Sequence, residues 1–200
     1  MKASRILAFA LGVTAAMGGI YWFQSGERKA GTAATVSSGI TRELAKGPLA
    51  AFLVKPERVA LADLAFQDGD GKAVSLAAWK GRVVLINLWA TWCAPCRREM
   101  PALAALQAKL GSKDFEVVAI SVDRKGVEAS AAFLKETGAD GLKLYVEPSA
   151  KILSDLKAMG LPATVLVDRQ GREIGRLLGP AEWDSPEAVK LIEAALAEGT

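Results

Sequence analysis

Apolar, β-branched stretches alternate with segments of helical periodicity over most of the chain. Residues 83–89, 115–121 and 161–168 are mostly apolar, which predicts strands buried on both faces of a sheet. Four segments carry apolar residues three or four positions apart and predict helices: 97–110, 127–137, 149–159 and 186–198. Because a helix separates the first two strands, these strands are expected to be parallel, as in an α/β fold.

Polar turns separate shorter strands on either side of this framework. Residues 64–67 and 72–74 flank an Asp-Gly-Asp-Gly turn and predict a β-hairpin. A second polar turn joins the third long strand to an antiparallel strand at 172–178, and a short strand at 142–146 precedes the third helix. The predicted sheet is therefore mixed, with helices on its faces.

The N-terminal residues have the pattern of a membrane anchor. Residues 6–23 carry no charge and reach the short limit of a membrane span. We expect an anchor over 1–23, a flexible linker rich in Gly, Ala and Ser over 24–47, and a globular domain over 48–200. The alternative for the first segment is a cleaved signal peptide. Positive residues flank the run on both sides, so the charges alone do not decide its orientation in the membrane. We expect the simpler topology, in which the short N-terminal tail stays in the cytoplasm and the domain lies outside.

The residue types exclude several classes of function. The chain has 200 residues, a formal net charge of +3, two cysteines and no histidine. Without histidine, Ser-His catalysis, Cys-His catalysis and most metal enzymes are excluded. Basic residues are scattered among acidic ones, which argues against nucleic-acid binding. Thiol chemistry needs only cysteines and a local field, so it stays open.

Both cysteines lie at the junction between the first long strand and the first helix. The junction reads, in order, Trp92, Cys93, Ala94, Pro95 and Cys96. A cysteine at a helix N-terminus faces unpaired N–H groups and the positive end of the helix dipole, which favours the thiolate. We expect Cys93 to attack a partner disulfide and Cys96, one turn deeper, to resolve the mixed disulfide. Pro101 should kink this helix; the alternative is a helix that begins only at Pro101.

Two simpler interpretations of the cysteine pair are a zinc site and a structural disulfide. Zinc usually takes four ligands, and this chain could complete them only with carboxylates. A structural disulfide would close a loop of two intervening residues, so its entropic stabilisation would be small. Both interpretations are weaker than redox chemistry.

Residues 88–96 (LWATWCAPC) resemble the active site of the thioredoxin superfamily. The continuation RREMP resembles the TlpA-like branch, membrane-tethered thiol–disulfide oxidoreductases of bacteria. Three later stretches fit this branch: GLPAT at 160–164, VDRQGREIG at 167–175 and GPAEW at 179–183. The resemblance covers about residues 60–197. It implies a thioredoxin-like α/β fold, a central mixed β-sheet flanked by helices, with an N-terminal β-hairpin and an inserted βα unit.

The resemblance also implies how the site meets its partners. A cis peptide bond before Pro162 would face the cysteine pair, the backbone of Leu161 would pair with a bound substrate strand, and Trp92, Ala94 and Pro95 would support binding. The implied substrates are protein thiols and disulfides in cytochrome c maturation or in copper-site assembly of cytochrome oxidase. A membrane electron donor of the thiol–disulfide transporter type is implied, at the periplasmic face of a bacterial inner membrane. No cofactor and no metal is expected.

One position departs from the superfamily pattern. Many thioredoxins carry a buried Asp in the active-site strand, where this chain has Asn87. Since Asn cannot accept a proton as Asp does, another group must take the proton of Cys96. Glu99 is the nearest carboxylate in sequence, Glu147 is a second candidate, and water is a third. The simpler interpretations are a surface or helix-facing charge for Glu99 and a solvated loop acid for Glu147.

We expect the reducing direction of exchange. The small dipeptide Ala94-Pro95 contains no histidine to stabilise the thiolate, and weak thiolate stabilisation favours a reducing couple. The alternative is an oxidant that donates its disulfide. A thiol peroxidase would need Thr where Ala90 stands, and a copper-binding module would use Cys93, Cys96 and Met100 as soft ligands.

Overall fold

An eight-stranded mixed sheet forms the centre of the computed structural model, which describes residues 39–198. The strands in chain order are β1 (Leu53–Val54), β2 (Ala65–Asp68), β3 (Ala73–Ser75), β4 (Val83–Trp89), β5 (Phe115–Ser121), β6 (Tyr145–Val146), β7 (Ala163–Val167) and β8 (Glu173–Leu178). They are arranged across the sheet in the order β1-β8-β7-β4-β5-β6-β2-β3. The predicted mixed sheet and its N-terminal hairpin are confirmed.

Strand β4 lies at the middle of this sheet and leads into the cysteine junction. All seven of its residues are buried, with β5 parallel on one side and β7 antiparallel on the other. In this register Leu88 lies opposite Ala163 of β7 and Ile120 of β5. The continuous apolar run at 83–89 is therefore explained by burial on both faces.

In the part of the chain that the structure describes, four α-helices cover the sheet: α1 (Ala94–Leu110), α2 (Gly126–Glu136), α3 (Lys151–Asp155) and α4 (Pro186–Ala197). Helix α1 continues through Pro101, so a helix beginning only at that proline is excluded. Helix α3 is much shorter than the predicted segment 149–159 because Ala150 and Lys157 adopt positive φ angles of 59° and 53° at its two ends. Ser185 caps α4, where its hydroxyl accepts a hydrogen bond from the Ala188 amide at 3.2 Å.

The inserted unit consists of β6 and α3. Strand β6 pairs in parallel with β5 and antiparallel with β2, so it joins the N-terminal hairpin to the rest of the sheet. The hairpin, β6 and the short helix at Leu76–Trp79 meet in an aromatic cluster of Phe66, Trp79 and Tyr145. The predicted insertion is therefore an integral part of the sheet.

The predicted linker is too long at its C-terminal end. Ile40 and Ala45, both within the predicted linker, are buried in the core, and short 3-10 helices at Arg42–Leu44 and Gly47–Leu49 pack near α4. Isolated apolar residues in a Gly- and Ala-rich stretch gave no periodic signal, which is why the burial of Ile40 was not predicted. The predicted anchor and the first part of the linker lie outside the described residues. Within residues 39–198, no helix is long and apolar enough to cross a membrane.

Candidate active site

The cysteine junction begins where β4 ends. The Ala90 carbonyl accepts a hydrogen bond from the Cys93 amide at 3.1 Å, which closes the turn before α1. Cys93 is the N-cap residue of α1, and its Sγ accepts a hydrogen bond from the Cys96 amide at 3.2 Å. The predicted placement at a helix N-terminus is thus observed, with the Cys96 N–H directed at the sulfur.

Cys93 and Cys96 form a disulfide, with the two sulfurs 2.04 Å apart. Cys93 is 4% exposed and Cys96 is 0% exposed. Cys93 is therefore the more accessible of the two cysteines, as expected, although it is largely covered because its Sγ is turned towards the helix N-terminus. Trp92, immediately before it, is 71% exposed. Ala94 is exposed and Pro95 is half-buried.

Pro162 lies at the same edge of the sheet as the cysteine junction. The Leu161–Pro162 peptide bond is cis, as the resemblance implies. Since Leu88 lies opposite Ala163, Pro162 continues the β7 register opposite the end of β4. Its carbonyl accepts a hydrogen bond from the Gly179 amide at 2.9 Å. Within residues 39–198, no backbone hydrogen bond is made by the half-buried Leu161, so its amide and carbonyl are available to an extended partner strand.

Exposed apolar side chains surround this edge. Met159 precedes the cis-proline segment and is 91% exposed, while Leu178, at the end of β8 and opposite Ala163, is 45% exposed. With Trp92 they give the edge an apolar surface, which is the chemistry of a protein-binding site.

A buried polar group lies behind the disulfide. Asn87, in the middle of β4, is 0% exposed, and its Nδ2 donates to Glu99 Oε1 at 2.8 Å and to Thr164 Oγ1 at 2.9 Å. Glu99 lies on α1, three residues past Cys96, and is buried; its Oε2 accepts from the Ala181 amide at 3.2 Å. The alternative interpretation of Glu99 as a surface charge is therefore wrong.

Burial raises the pKa of Glu99 from 4.5 to about 7. Hydrogen bonds from Asn87 and from the Ala181 amide oppose this effect only in part. The Trp183 indole N–H also faces the carboxyl group, but outside standard hydrogen-bond geometry. The site thus holds an acid that changes its protonation state near neutral pH.

Asp123 was not identified from the sequence, although it shapes the junction. Its Oδ2 accepts hydrogen bonds from the Thr91 amide, at 3.2 Å, and from the Thr91 hydroxyl, while Oδ1 accepts from the Lys125 amide at 2.9 Å. Burial raises the pKa of Asp123, but these hydrogen bonds lower it by more, so the carboxylate stays ionised. Asp123 follows the C-terminal end of β5, parallel to β4, and this adjacency is the signal that could have identified it.

Arg97 is held by α2. Its guanidinium lies 4.6 Å from the centre of the Phe133 ring and forms a 2.9 Å ion pair with Glu136. Phe133 in turn stacks on Trp89 of β4, with ring centres 4.8 Å apart. This stack fixes α1 to α2 at the residue next to Cys96, and the partner Glu136 offsets part of the positive charge there.

Two other candidate residues have structural roles. Glu147 is mostly buried; it accepts hydrogen bonds from Ser149 and from the Ile152 amide, and so caps α3. None of these bonds leads to the cysteines. Met100 is 0% exposed in the core. In the described part of the chain, no group of three or more His, Cys, Asp or Glu residues could hold a metal ion.

The buried Glu99 predicts a dependence of stability on pH. Because its folded pKa lies above its unfolded value of 4.5, the folded state binds more protons between pH 4.5 and about 7, and stability falls as pH rises through that window. The difference corresponds to about 3 kcal/mol. Urea unfolding of Glu99→Gln at pH 5 and pH 8 should therefore lose most of the pH dependence of the parent chain. The exposed Glu193→Gln should retain it; equal pH dependence in all three proteins would contradict a buried titrating Glu99.

The chain resembles known proteins over most of its globular part. Residues 55–194 match the Redoxin family. The thiol-disulfide oxidoreductase ResA of Bacillus cereus is 30% identical over 112 residues, 56% of this chain and 64% of that protein. The thiol:disulfide interchange protein HelX of Rhodobacter capsulatus is 36% identical over 105 residues, 52% of this chain and 56% of that protein. The chain thus matches less than two thirds of the length of these curated relatives.

A solved structure agrees with the same assignment. The Chlorobium tepidum protein described as a thiol:disulfide interchange protein DsbE has a TM-score of 0.63 and is 30% identical. The match covers 72% of this chain and 100% of that one. The expected thioredoxin-like fold is thereby confirmed, and the predicted resemblance to the TlpA-like branch fits these relatives. With its family match, its relatives and its fold in agreement, the chain belongs to the Redoxin family.

Proposed function

We propose that the chain is a thiol–disulfide oxidoreductase that acts through Cys93 and Cys96. The observation that carries the proposal is a disulfide at the N-terminus of α1, at the same sheet edge as the cis-Pro162 segment and an exposed apolar surface. The names of the relatives ResA and HelX support the same chemistry.

The exchange proceeds in two steps, each an attack of a thiolate on a disulfide sulfur. The Cys93 thiolate attacks one sulfur of a partner disulfide; a Cys93–partner bond forms and the other partner sulfur leaves as a thiolate. Cys96 then loses its proton and attacks Cys93 Sγ, which releases the second partner sulfur and forms the Cys93–Cys96 disulfide. The partner gains two electrons and the chain is oxidised.

The helix N-terminus supplies the field for the first step. The Cys96 amide already donates to Cys93 Sγ at 3.2 Å, and the dipole of the 17-residue helix α1 stabilises negative charge on that sulfur. The thiolate is the nucleophile, so this placement activates Cys93 without any histidine.

Glu99 supplies the base for the second step. It lies one turn after Cys96 on α1 and so projects from the same side of the helix. With a pKa raised to about 7, it exchanges protons readily near neutral pH. It takes the role that a strand Asp has in many thioredoxins, where this chain has Asn87, whereas Glu147 is occupied in capping α3.

The reducing direction is the second part of the proposal. The dipeptide Ala94-Pro95 offers no histidine to stabilise the thiolate further, and the ion pair with Glu136 offsets the charge of Arg97. As substrates we propose protein disulfides of cytochrome c maturation or of oxidase copper-site assembly. A membrane thiol–disulfide transporter would return electrons to the chain.

We further propose that residues 1–23 anchor the chain in a bacterial inner membrane with the domain in the periplasm. The uncharged run at 6–23 supports this location. After extraction of membranes with alkaline carbonate, the chain should stay in the membrane pellet. Mass spectrometry of that pellet should find the intact chain of 200 residues. A released chain that lacks its first residues would identify a cleaved signal peptide instead.

Trapping tests the proposed order of sulfur attack. In Cys96→Ser the mixed disulfide cannot be resolved, so the variant should accumulate a covalent complex with a disulfide-containing protein. Cys93→Ser leaves only the fully buried cysteine and should trap at least about tenfold less, because a thiol without solvent access reacts poorly. The complexes are counted on non-reducing gels with and without dithiothreitol.

An exposed substitution on α4 provides the control. Lys190→Gln, on the solvent side of α4, should leave trapping by Cys96→Ser unchanged. Equal trapping by the two cysteine variants would contradict the assignment of Cys93 as the attacking residue. No trapping by either would contradict the proposed function.

A further inference from the structure

Asn87 contains a buried polar atom without a partner. Its Nδ2 uses both hydrogens, one towards Glu99 and one towards Thr164, whereas its Oδ1 has no hydrogen-bond partner in the described part of the chain. Asn87 and Thr164 are 0% exposed. A buried acceptor left unpaired destabilises a fold, so its presence in a redox site needs an explanation.

The surroundings of Glu99 suit only one of its protonation states. Both carboxyl oxygens face N–H donors, Asn87 Nδ2 at Oε1 and the Ala181 amide at Oε2. A proton in the lone-pair direction that either donor uses would therefore point at another proton. The Ala181 amide and the Trp183 indole can only donate. Of these three donors, only Asn87 can also present an acceptor, by turning its amide through half a rotation about the Cβ–Cγ bond.

We propose that Asn87 is a positioning residue that turns its amide when Glu99 changes protonation state. In the ionised state Nδ2 donates to the carboxylate, as observed. In the protonated state Oδ1 accepts from the carboxylic acid. The rotation exchanges the positions of the two groups: Oδ1 moves to the side of Glu99 and Thr164, where the second state requires an acceptor, and Nδ2 moves to the position where Oδ1 had no partner. The catalytic meaning of this exchange rests on the proposed function of Cys93 and Cys96.

Thr164 is matched to both orientations. It lies directly opposite Asn87 in the β4–β7 register. A hydroxyl both accepts and donates, so Thr164 Oγ1 accepts from Nδ2 in the observed orientation and donates to Oδ1 in the turned one. An apolar side chain at this position would leave one Asn87 group without its second partner in each state.

The proton balance of the step is simple. The Cys96 thiol gives its proton to Glu99 Oε1, an S–H bond breaks, an O–H bond forms, and Cys96 is left as a thiolate; no electron moves. The groups facing the carboxyl are Asn87 from β4 and, before α4, the Ala181 amide and the Trp183 indole. On α1, Cys96 lies three residues before Glu99 and can titrate only when the disulfide is open. No charged side chain in the described part of the chain acts on Glu99.

NMR of the full, isotopically labelled, oxidised chain tests the rotation directly. The Asn87 side-chain amide is identified by its loss in Asn87→Ser. At pH 9 its protons should show nuclear Overhauser contacts with the Thr164 methyl and β protons. At pH 5 these contacts should be lost, with the same midpoint as the Glu99 carboxyl carbon.

Glu99→Gln provides a pH-independent reference. The new amide keeps its oxygen on the Ala181 N–H and presents its own N–H to Asn87, as the carboxylic acid would. Its spectrum at every pH should therefore lack the Asn87–Thr164 contacts. Contacts that persist at pH 5 and in Glu99→Gln would show a fixed amide and overturn the proposal.

A matched pair of Thr164 variants tests the consequence for exchange. Thr164→Val removes the hydroxyl at equal volume and should slow release of a partner from the Cys93 mixed disulfide about fivefold at pH 7, whereas Thr164→Ser should stay within about twofold. Equal rates in the two variants would contradict the proposal. The NMR measurement needs no partner protein, so it tests the role of Asn87 separately from the exchange activity. A chain without exchange activity would contradict the proposed function, whereas a fixed Asn87 amide would contradict only the role of Asn87.

Discussion

The site depends on one junction, the point where the buried strand β4 passes into helix α1. The strand is fixed on both sides by β5 and β7, and the turn after it is held by the Ala90 carbonyl and by the Asp123 carboxylate on Thr91. Because the strand cannot shift, the first turn of α1 starts at a defined place, with Cys93 as its cap. Sulfur reactivity, partner access and proton transfer all follow from this position.

The junction also explains why an acid is tolerated in the core. Glu99 is buried between α1, β4 and the segment before α4, where it accepts hydrogen bonds from Asn87 and from the Ala181 amide. These bonds compensate burial only in part, so the pKa stays near neutral. If hydrogen bonds fully offset the effect of burial, the carboxylate would keep a low pKa and would accept a proton poorly at neutral pH. Without those hydrogen bonds, the buried acid would stay protonated. The intermediate environment suits a group that must do both.

Sequence reasoning located the fold and the cysteines because their signals are local. Strand β4, the cap at Cys93 and the hairpin follow from residues adjacent in the chain. The roles of Asn87 and Asp123 depend on contacts with residues distant in sequence, Thr164 with the first and Thr91 with the second. The burial of Ile40 and the short α3 were missed for the same reason, since neither tertiary packing nor a positive φ at Ala150 is visible in periodicity.

The reduction potential of the Cys93–Cys96 pair tests the central claim most directly. The full chain is equilibrated in glutathione or dithiothreitol buffers at pH 7 and monitored by tryptophan fluorescence, since Trp92 adjoins Cys93. A potential at or below about −200 mV is the predicted result for a reductase working in an oxidising compartment. A potential near about −120 mV would contradict it and identify an oxidant that donates its disulfide.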